Sequence, residues 1–581
     1  MKKKLFLLFS TLFALTACQL SFNHRSSSKV DSSSSSSDTS SVESTSSSSE
    51  EESSSSSSSE SSSSSNSVSS SESYSSSSEA SSSSSAVPTS LPEPTIPLVK
   101  AGRTYDDYIK NSVYPLSFCP STGEAKILVI PIWFEDSNSY ITTKRKTNVR
   151  SDIEKAYFGT DEDTGWKSVK SYYEEESNGA LTLTGTVSDW YRPHQYASTY
   201  APERAGLNQT MNLVTTATDW YFENNPEESR TDYDRNHDGY LDGVMLIYGA
   251  PDYSALRTYG DNTNLWAYCY WVQKTSNQNV LNPGPNVFFW ASFDFMYGAN
   301  VYYDRTGVPK TYASGYTKSP VKIDTHTYIH EMGHVFGLTD YYDYSGQYTP
   351  AGGFSMQDQN VGGHDPFSSF ALGWGEAYIP TESVTVSIRP FSTSGEFIIL
   401  SPSWNEYDSA FDEYIVIEYF TQDGLNELDT SRPYNGAYPT GSKVPGIRVW
   451  HVDARLLYAD SFDSNFSPSK VTTDPLTNLG QVELMMSNTY GNKEGYITPL
   501  GEAYSDYNLL QLIRNNVTEG YRPKKGMKTE DLFYVGDEFT MEKYGKQFKQ
   551  QNKLNSGKSL GYTFAVTEIN EVYASVEITK L

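Results

Sequence analysis

The 581-residue chain is short of several things. It has three cysteines, Cys18, Cys119 and Cys269. Beyond Cys18 they allow at most one disulfide, which excludes a small disulfide-built scaffold and leaves either a Cys119 to Cys269 bond or two inert thiols. Cys119 as a latency-conferring zinc ligand is a further option. Histidine is scarce as well, with eight in all, yet His326, His330, His334 and His364 fall within 39 residues. Positive charge is in deficit: 44 Lys and Arg face 71 Asp and Glu, for a net charge of −27. Residues 1–24 carry +3 and residues 25–100 carry −7, which leaves −23 on residues 101–581. A body that acidic argues against nucleic acid, whose phosphates need basic partners. The apolar stretch Leu5 to Leu15 is too short to span a bilayer.

That stretch follows Lys2, Lys3 and Lys4 and closes at Leu15-Thr16-Ala17-Cys18, the layout of a signal peptide. Small residues directly before a cysteine resemble a bacterial lipoprotein processing site. Residues 1–17 are therefore expected to be a lipoprotein signal peptide, with lipidation at Cys18 and a membrane anchor there. Residues 25–86 are almost pure serine broken by glutamates, a composition that cannot offset the entropy of folding. Residues 18–100 thus read as a disordered tether. They would hold a head on the extracellular face of a bacterial membrane, with a shed or secreted form as the alternative.

The chemistry is concentrated between residues 330 and 342. On a helix, His330 and His334 lie one turn apart on one face, so both imidazoles reach one metal ion. Glu331 stands beside them, placed to take a proton from an activated water as general base. Gly337 readily adopts the left-handed backbone that ends helices. The chain then turns back, and Asp340 falls where the longer pattern His-Glu-x-x-His-x-x-Gly-x-x-His puts its third ligand. An aspartate oxygen is a competent zinc ligand, and Asp343 is the alternative if the turn is longer. His326 shares the helix phase and reads as a neighbour. Gly352-Gly353-Phe354-Ser355-Met356 supplies a candidate methionine turn, with Met356 structural. Tyr341, Tyr342 and His364 are the candidate transition-state stabilisers.

Upstream, Asp232-Tyr233-Asp234-Arg235-Asn236-His237-Asp238-Gly239-Tyr240-Leu241-Asp242 resembles the first half of a calcium loop. Asp234, Asn236, Asp238 and Asp242 are its candidate ligands. Met245 stands where a bidentate glutamate would complete an ordinary loop of this kind.

Periodicity places strands at 127–134, 181–190 and 244–248, and helices around 149–157, 169–173 and 207–222. This order predicts an α/β zincin (metzincin-like) catalytic domain over residues 101–380, with the His330 helix beneath the sheet. After Ile379-Pro380 short alternating runs follow, at 384–388, 397–400, 414–419, 446–452, 481–486 and 560–578. They predict an all-β, sandwich-like domain over residues 381–581. His451, in one of those strands, reads as structural.

These residues resemble the immune inhibitor A family of secreted bacterial metallopeptidases. The likeness rests on Leu128-Val129-Ile130, Ser168 through Tyr173, Gly185 through Tyr191, the loop at 232–242, His330 through Asp343, and Ala371-Leu372-Gly373-Trp374. It covers roughly residues 125–455. The resemblance implies a zinc endopeptidase stabilised by calcium, with His330, His334 and Asp340 on zinc, Glu331 as base, and protein or glycoprotein substrates. A rival reading is a surface adhesion lipoprotein that has kept the fold and binds host proteins or glycans. The two meet if the β domain contacts glycans while the catalytic domain cuts, and intact Glu331 favours the enzyme.

Overall fold

The structure, a computed structural model, describes residues 90–110, 117–252, 264–272, 274–297, 322–343, 346–402, 409–431, 441–459 and 507–581. It also describes Asn488 and short strands at 301–303, 309–311, 471–472 and 482–484. Cys18, the signal peptide and the serine-rich stretch lie outside the described residues, as does part of the expected 481–486 strand. Leu98 and Val99, which the reading above assigns to the tether, form strand β1 (Leu98–Val99).

The run from Ile127 to Ile132 has no polar face, as expected of a central strand covered on both sides. It lies in β2 (Gly123–Ile132), followed by helices α1 (Thr143–Phe158) and α2 (Val169–Glu176) and strand β3 (Leu181–Val187). Ser168 caps α2, its hydroxyl accepting the Ser171 N–H at 3.1 Å. Next come α3 (Glu203–Asn224), β4 (Val244–Tyr248), β5 (Tyr268–Trp271) and β6 (Val287–Ser292). The sheet order is β3-β2-β4-β6-β5, parallel throughout except for the antiparallel edge strand β5. Alternate residues of β2 feed two cores: Leu128, Ile130 and Ile132 pack with Leu213, Val214 and Ala217 of α3. Ile127 and Val129 pack on the other face with Val149 and Ile153 of α1 and Tyr172 and Tyr173 of α2. That second core also receives α4 (His326–Val335) through Ile329, Met332 and Val335.

Beyond α5 (Pro366–Ala371) the chain is mostly β. Its strands are β7 (Glu376–Tyr378), β8 (Val384–Ile388), β9 (Glu396–Leu400), β10 (Glu413–Phe420), β11 (Gly446–Asp453), β12 (Leu510–Ile513), β13 (Glu538–Phe539), β14 (Tyr562–Ile569) and β15 (Ala574–Lys580). A six-stranded sheet runs β1-β7-β9-β10-β11-β12 and a four-stranded one runs β8-β15-β14-β13. Ile398, Ile415, Ile417 and Val449 face the four-stranded sheet and pack with Val386, Phe564, Val576 and Ile578. Ile399, Val416 and Trp450, one position out of phase, join the core under α4. The six-stranded sheet is thus a middle layer, buried on both faces, and one apolar cluster runs from the α4 helix into the β region.

Candidate metal centre

Helix α4 ends in a Schellman turn. The Gly337 N–H bonds to His334 O and the Leu338 N–H to Gly333 O, each at 3.0 Å, with Gly337 at φ +107°. That turn delivers the Leu338 carbonyl to His334, whose Nδ1 donates to it at 2.8 Å. His330 Nδ1 donates to the Met356 carbonyl at 2.7 Å. A carbonyl only accepts, so both rings carry their proton on Nδ1 and turn the Nε2 lone pair toward Asp340. Asp340 Oδ1 lies 3.1 Å from His330 Nε2 and 3.3 Å from His334 Nε2, and the three ligand atoms fall within 4.8 Å of one another. Three electron-pair donors converging in a buried site repel unless a cation stands among them, so the set fits a divalent metal and its nitrogen and oxygen donors suit zinc. Burial pushes Asp340 upward, but His334 and His330 hold it well below the usual carboxylate range. Burial likewise disfavours charge on His334, yet Asp340 raises its pKa.

Glu331 is fully buried, and neither carboxylate oxygen has a hydrogen-bond partner among the described residues. Burial pushes its pKa up to about 8, with His330 pulling down and Asp340 adding to the rise. A buried carboxyl with nothing to bond is costly and marks a functional position. A dication held at the neighbouring imidazoles would favour its charged form.

Met356 is fully buried and contributes its carbonyl behind His330. Asp343 stands apart from the ligand group, its Oδ2 accepting the N–H of Gln347 at 3.1 Å and of Tyr348 at 3.3 Å. Tyr341 is corrected as a stabiliser candidate, because its hydroxyl is committed to Ser368 Oγ at 2.7 Å in the core. Tyr342 lays its ring along His330, with centroids 6.3 Å apart and 22° between planes. His364 sits among the rings of Tyr172, Tyr173 and Trp374, its pKa lowered to about 3 by burial and by the charges of His330 and His334. His326 bonds through Nε2 to Asn360 O at 2.8 Å, a neighbour and not a ligand. Cys119 and Cys269 are free thiols, raised by burial, and neither belongs to the metal group.

Two residues escape the sequence reading. Gln357 packs so closely on α4 that a Cβ at Gly333 would lie 2.2 Å from its Oε1, which explains glycine inside the helix. Glu176 is buried, and its carboxylate accepts the backbone N–H of His364. Its signal was available: Val169, Tyr172, Tyr173 and Glu176 share one helical phase, so an acid stands on the apolar stripe.

The 232–242 loop is arranged differently. Asp234 accepts the N–H of Asp238 at 3.0 Å and of Gly239 at 3.1 Å, and Asp238 accepts that of Tyr240 at 2.8 Å. Asp242 accepts from Arg235 at 2.9 Å and from Lys126 on β2 at 2.8 Å. Asn236 Oδ1 accepts the Asp238 N–H at 3.1 Å. Burial raises Asp238 to about 6 and Asp242 to about 8, in each case against backbone N–H groups that lower it.

Residues 121–361 match the family described as immune inhibitor A peptidase M6, catalytic domain. The pre-pro-metalloprotease PrtV of Vibrio cholerae serotype O1, from two strains, is 27% identical over 234 residues. That similarity covers 35% of this chain and 23% of the relatives' length. The family match includes α4, Asp340 and Met356 and ends before α5 and the β layers. Residues 121–361 are thus a mixed α/β domain that matches the catalytic domain of the immune inhibitor A peptidases, M6.

Proposed function

We propose that this protein is a surface-anchored zinc endopeptidase with a metzincin-like catalytic domain, cutting extracellular proteins. One observation carries the reading: His330, His334 and Asp340 converge while Glu331, one residue along the same helix, keeps both carboxylate oxygens unpartnered. Zinc bound there would polarise the scissile carbonyl and make a water molecule acidic near neutral pH. The chain's own residues do the rest. Met356 O and Leu338 O hold the imidazoles in register, Glu331 takes the water proton and returns it to the leaving amine, and the buried surroundings keep bulk water away. Tyr342, beside His330, and His364, whose ring nitrogens have no hydrogen-bond partner among the described residues, are the remaining candidates to steady the oxyanion.

The anchor at Cys18 and the extracellular location rest on the N-terminal sequence alone. Calcium at Asp234, Asn236, Asp238 and Asp242 belongs to the same proposal. The glycine turn and the alternate oxygen donors support it, and the ion's task would be to brace the approach to β4.

The test is cleavage of casein by the full-length chain, wild type beside Glu331→Gln, with zinc measured on both. The expected result is that wild type cuts and a chelator stops it, while the variant keeps zinc and loses about 10³-fold in rate. Equal activity of the two proteins overturns the reading.

A further inference from the structure

The acidic body carries two dense runs of cations, at 144–150 and at 522–528, and the second holds Arg522, Lys524, Lys525 and Lys528 with no acid among them. Lys524, Lys525 and Lys528 are exposed. Lys528 pairs with Glu530 at 3.4 Å, whereas Lys524 and Lys525 make no ion pair among the described residues. The Tyr521 N–H bonds to Lys546 O at 2.8 Å, which ties the run to residues 541–558, where five lysines accompany one glutamate.

This run is laced to the metal centre's own connecting segment. The Thr349 N–H bonds to Pro523 O at 2.7 Å, Thr349 Oγ1 donates to Lys525 O at 2.8 Å, and the Met527 N–H bonds to Gly352 O at 2.9 Å. Residues 349–352 lie between Asp340, which faces the histidines, and Met356, whose carbonyl orients His330. From below, buried Arg514, the residue after β12, donates to Gly526 O at 3.2 Å and also to Lys525 O. The Arg522 guanidinium and the Lys524 ammonium stand 5.5 and 5.9 Å from the centroid of the Tyr348 ring. Arg522 holds φ +63° directly before a proline, where the left-handed region is disfavoured. Such strain persists only where the surroundings enforce it, and it clusters at functional segments. Clustered exposed cations raise the local positive potential, which draws an anionic partner.

We infer that residues 522–528 form an electropositive shelf that takes acidic stretches of the polypeptide substrate beside the centre. The inference rests on the endopeptidase reading, and it answers a difficulty of that reading, since an acidic body would otherwise repel acidic substrates. A peptide is favoured over an anionic glycan because the shelf is bonded to the segment that links Asp340 to Met356.

The experiment compares kcat/KM of the full-length protein for two peptides with one scissile core, flanked either by Asp and Glu or by Ser and Gln. Wild type is expected to favour the acidic peptide by about tenfold at low salt, less as salt rises. Lys524→Glu with Lys525→Glu should bring that ratio to about one, and the paired Gln variants should fall between. A ratio near one in wild type, or one the reversal leaves intact, overturns the shelf while the peptidase reading stands. If neither peptide nor casein is cut, the peptidase reading fails and takes the shelf with it. If the reversal abolishes binding of poly(glycerol phosphate) but leaves the peptide ratio unchanged, the shelf serves a polyanion and the inference is wrong.

Discussion

Two stretches of this chain present metal-type donors at regular spacing, residues 330–340 and residues 232–242, and the fold treats them in opposite ways. At the first, backbone carbonyls bind the outer nitrogens of two imidazoles, so their lone pairs and a carboxylate oxygen point at one another. At the second, the carboxylates are bonded to N–H groups of their own loop and of β2. One site remains electrostatically incomplete without a cation. The other is a closed turn whose side-chain oxygens still have lone pairs to offer. Spacing alone does not separate these cases, whereas the destination of the hydrogen bonds does.

The contrast is broken most strongly at Asp340. Asp340→Ala should lower zinc affinity by more than about 100-fold in a chelator competition, and Asp343→Ala by less than about tenfold, the range of groups outside the ligand set. If the second variant loses zinc and the first does not, the ligand assignment is wrong.

A smaller effect is expected at the loop. Calcium at about a hundred times its dissociation constant would add about 2.7 kcal/mol, read as a higher melting temperature. Asp238→Asn should cancel that gain with zinc content unchanged. A melting temperature indifferent to calcium would leave the loop as a turn stabilised by its own backbone.

The smallest effect per unit change of condition is the pH dependence from Glu176. Burial raises its pKa from 4.5 to about 8, even though the backbone N–H of His364 pulls it down. Between those values the folded protein keeps a proton that the unfolded chain has released. Stability should therefore fall as pH rises from about 4.5 to 8, by at most about 1.4 kcal/mol per pH unit for this one group. Asp358 and Asp429, each raised to about 7 by burial, act in the same direction. Glu176→Gln has nothing to titrate, so its melting temperature should vary less with pH than that of wild type. An equal or steeper slope would place the titration elsewhere.

Much of the frame was legible because periodicity and burial agree. The expected strands at 244–248 and 384–388 form within those bounds, the one expected at 181–190 stops at Val187, and α4 ends at the glycine that the turn requires. The strands β5 and β6 were not read. Tyr268-Cys269-Tyr270-Trp271 and Val287 through Ser292 sit among Asn, Pro and Gly, and neither shows polar alternation, since β6 is covered on both faces. The middle sheet hides its role for a similar reason: Tyr414 through Tyr419 is apolar at every position but Glu418, and only the contacts show that alternate residues serve two cores. At the site, helix spacing fixes the histidines. It cannot reveal that Tyr341 turns to Ser368 or that Gln357 fills the space at Gly333, because those depend on chain segments brought together by folding.

The most direct measurement is zinc-edge anomalous diffraction from crystals of the full-length protein. The account predicts one strong peak within bonding distance of His330 Nε2, His334 Nε2 and Asp340 Oδ1, with Glu331 outside the ligand shell, and no zinc at residues 234–242. A peak ligated by Glu331 or Asp343, or none between the two histidines, would contradict it.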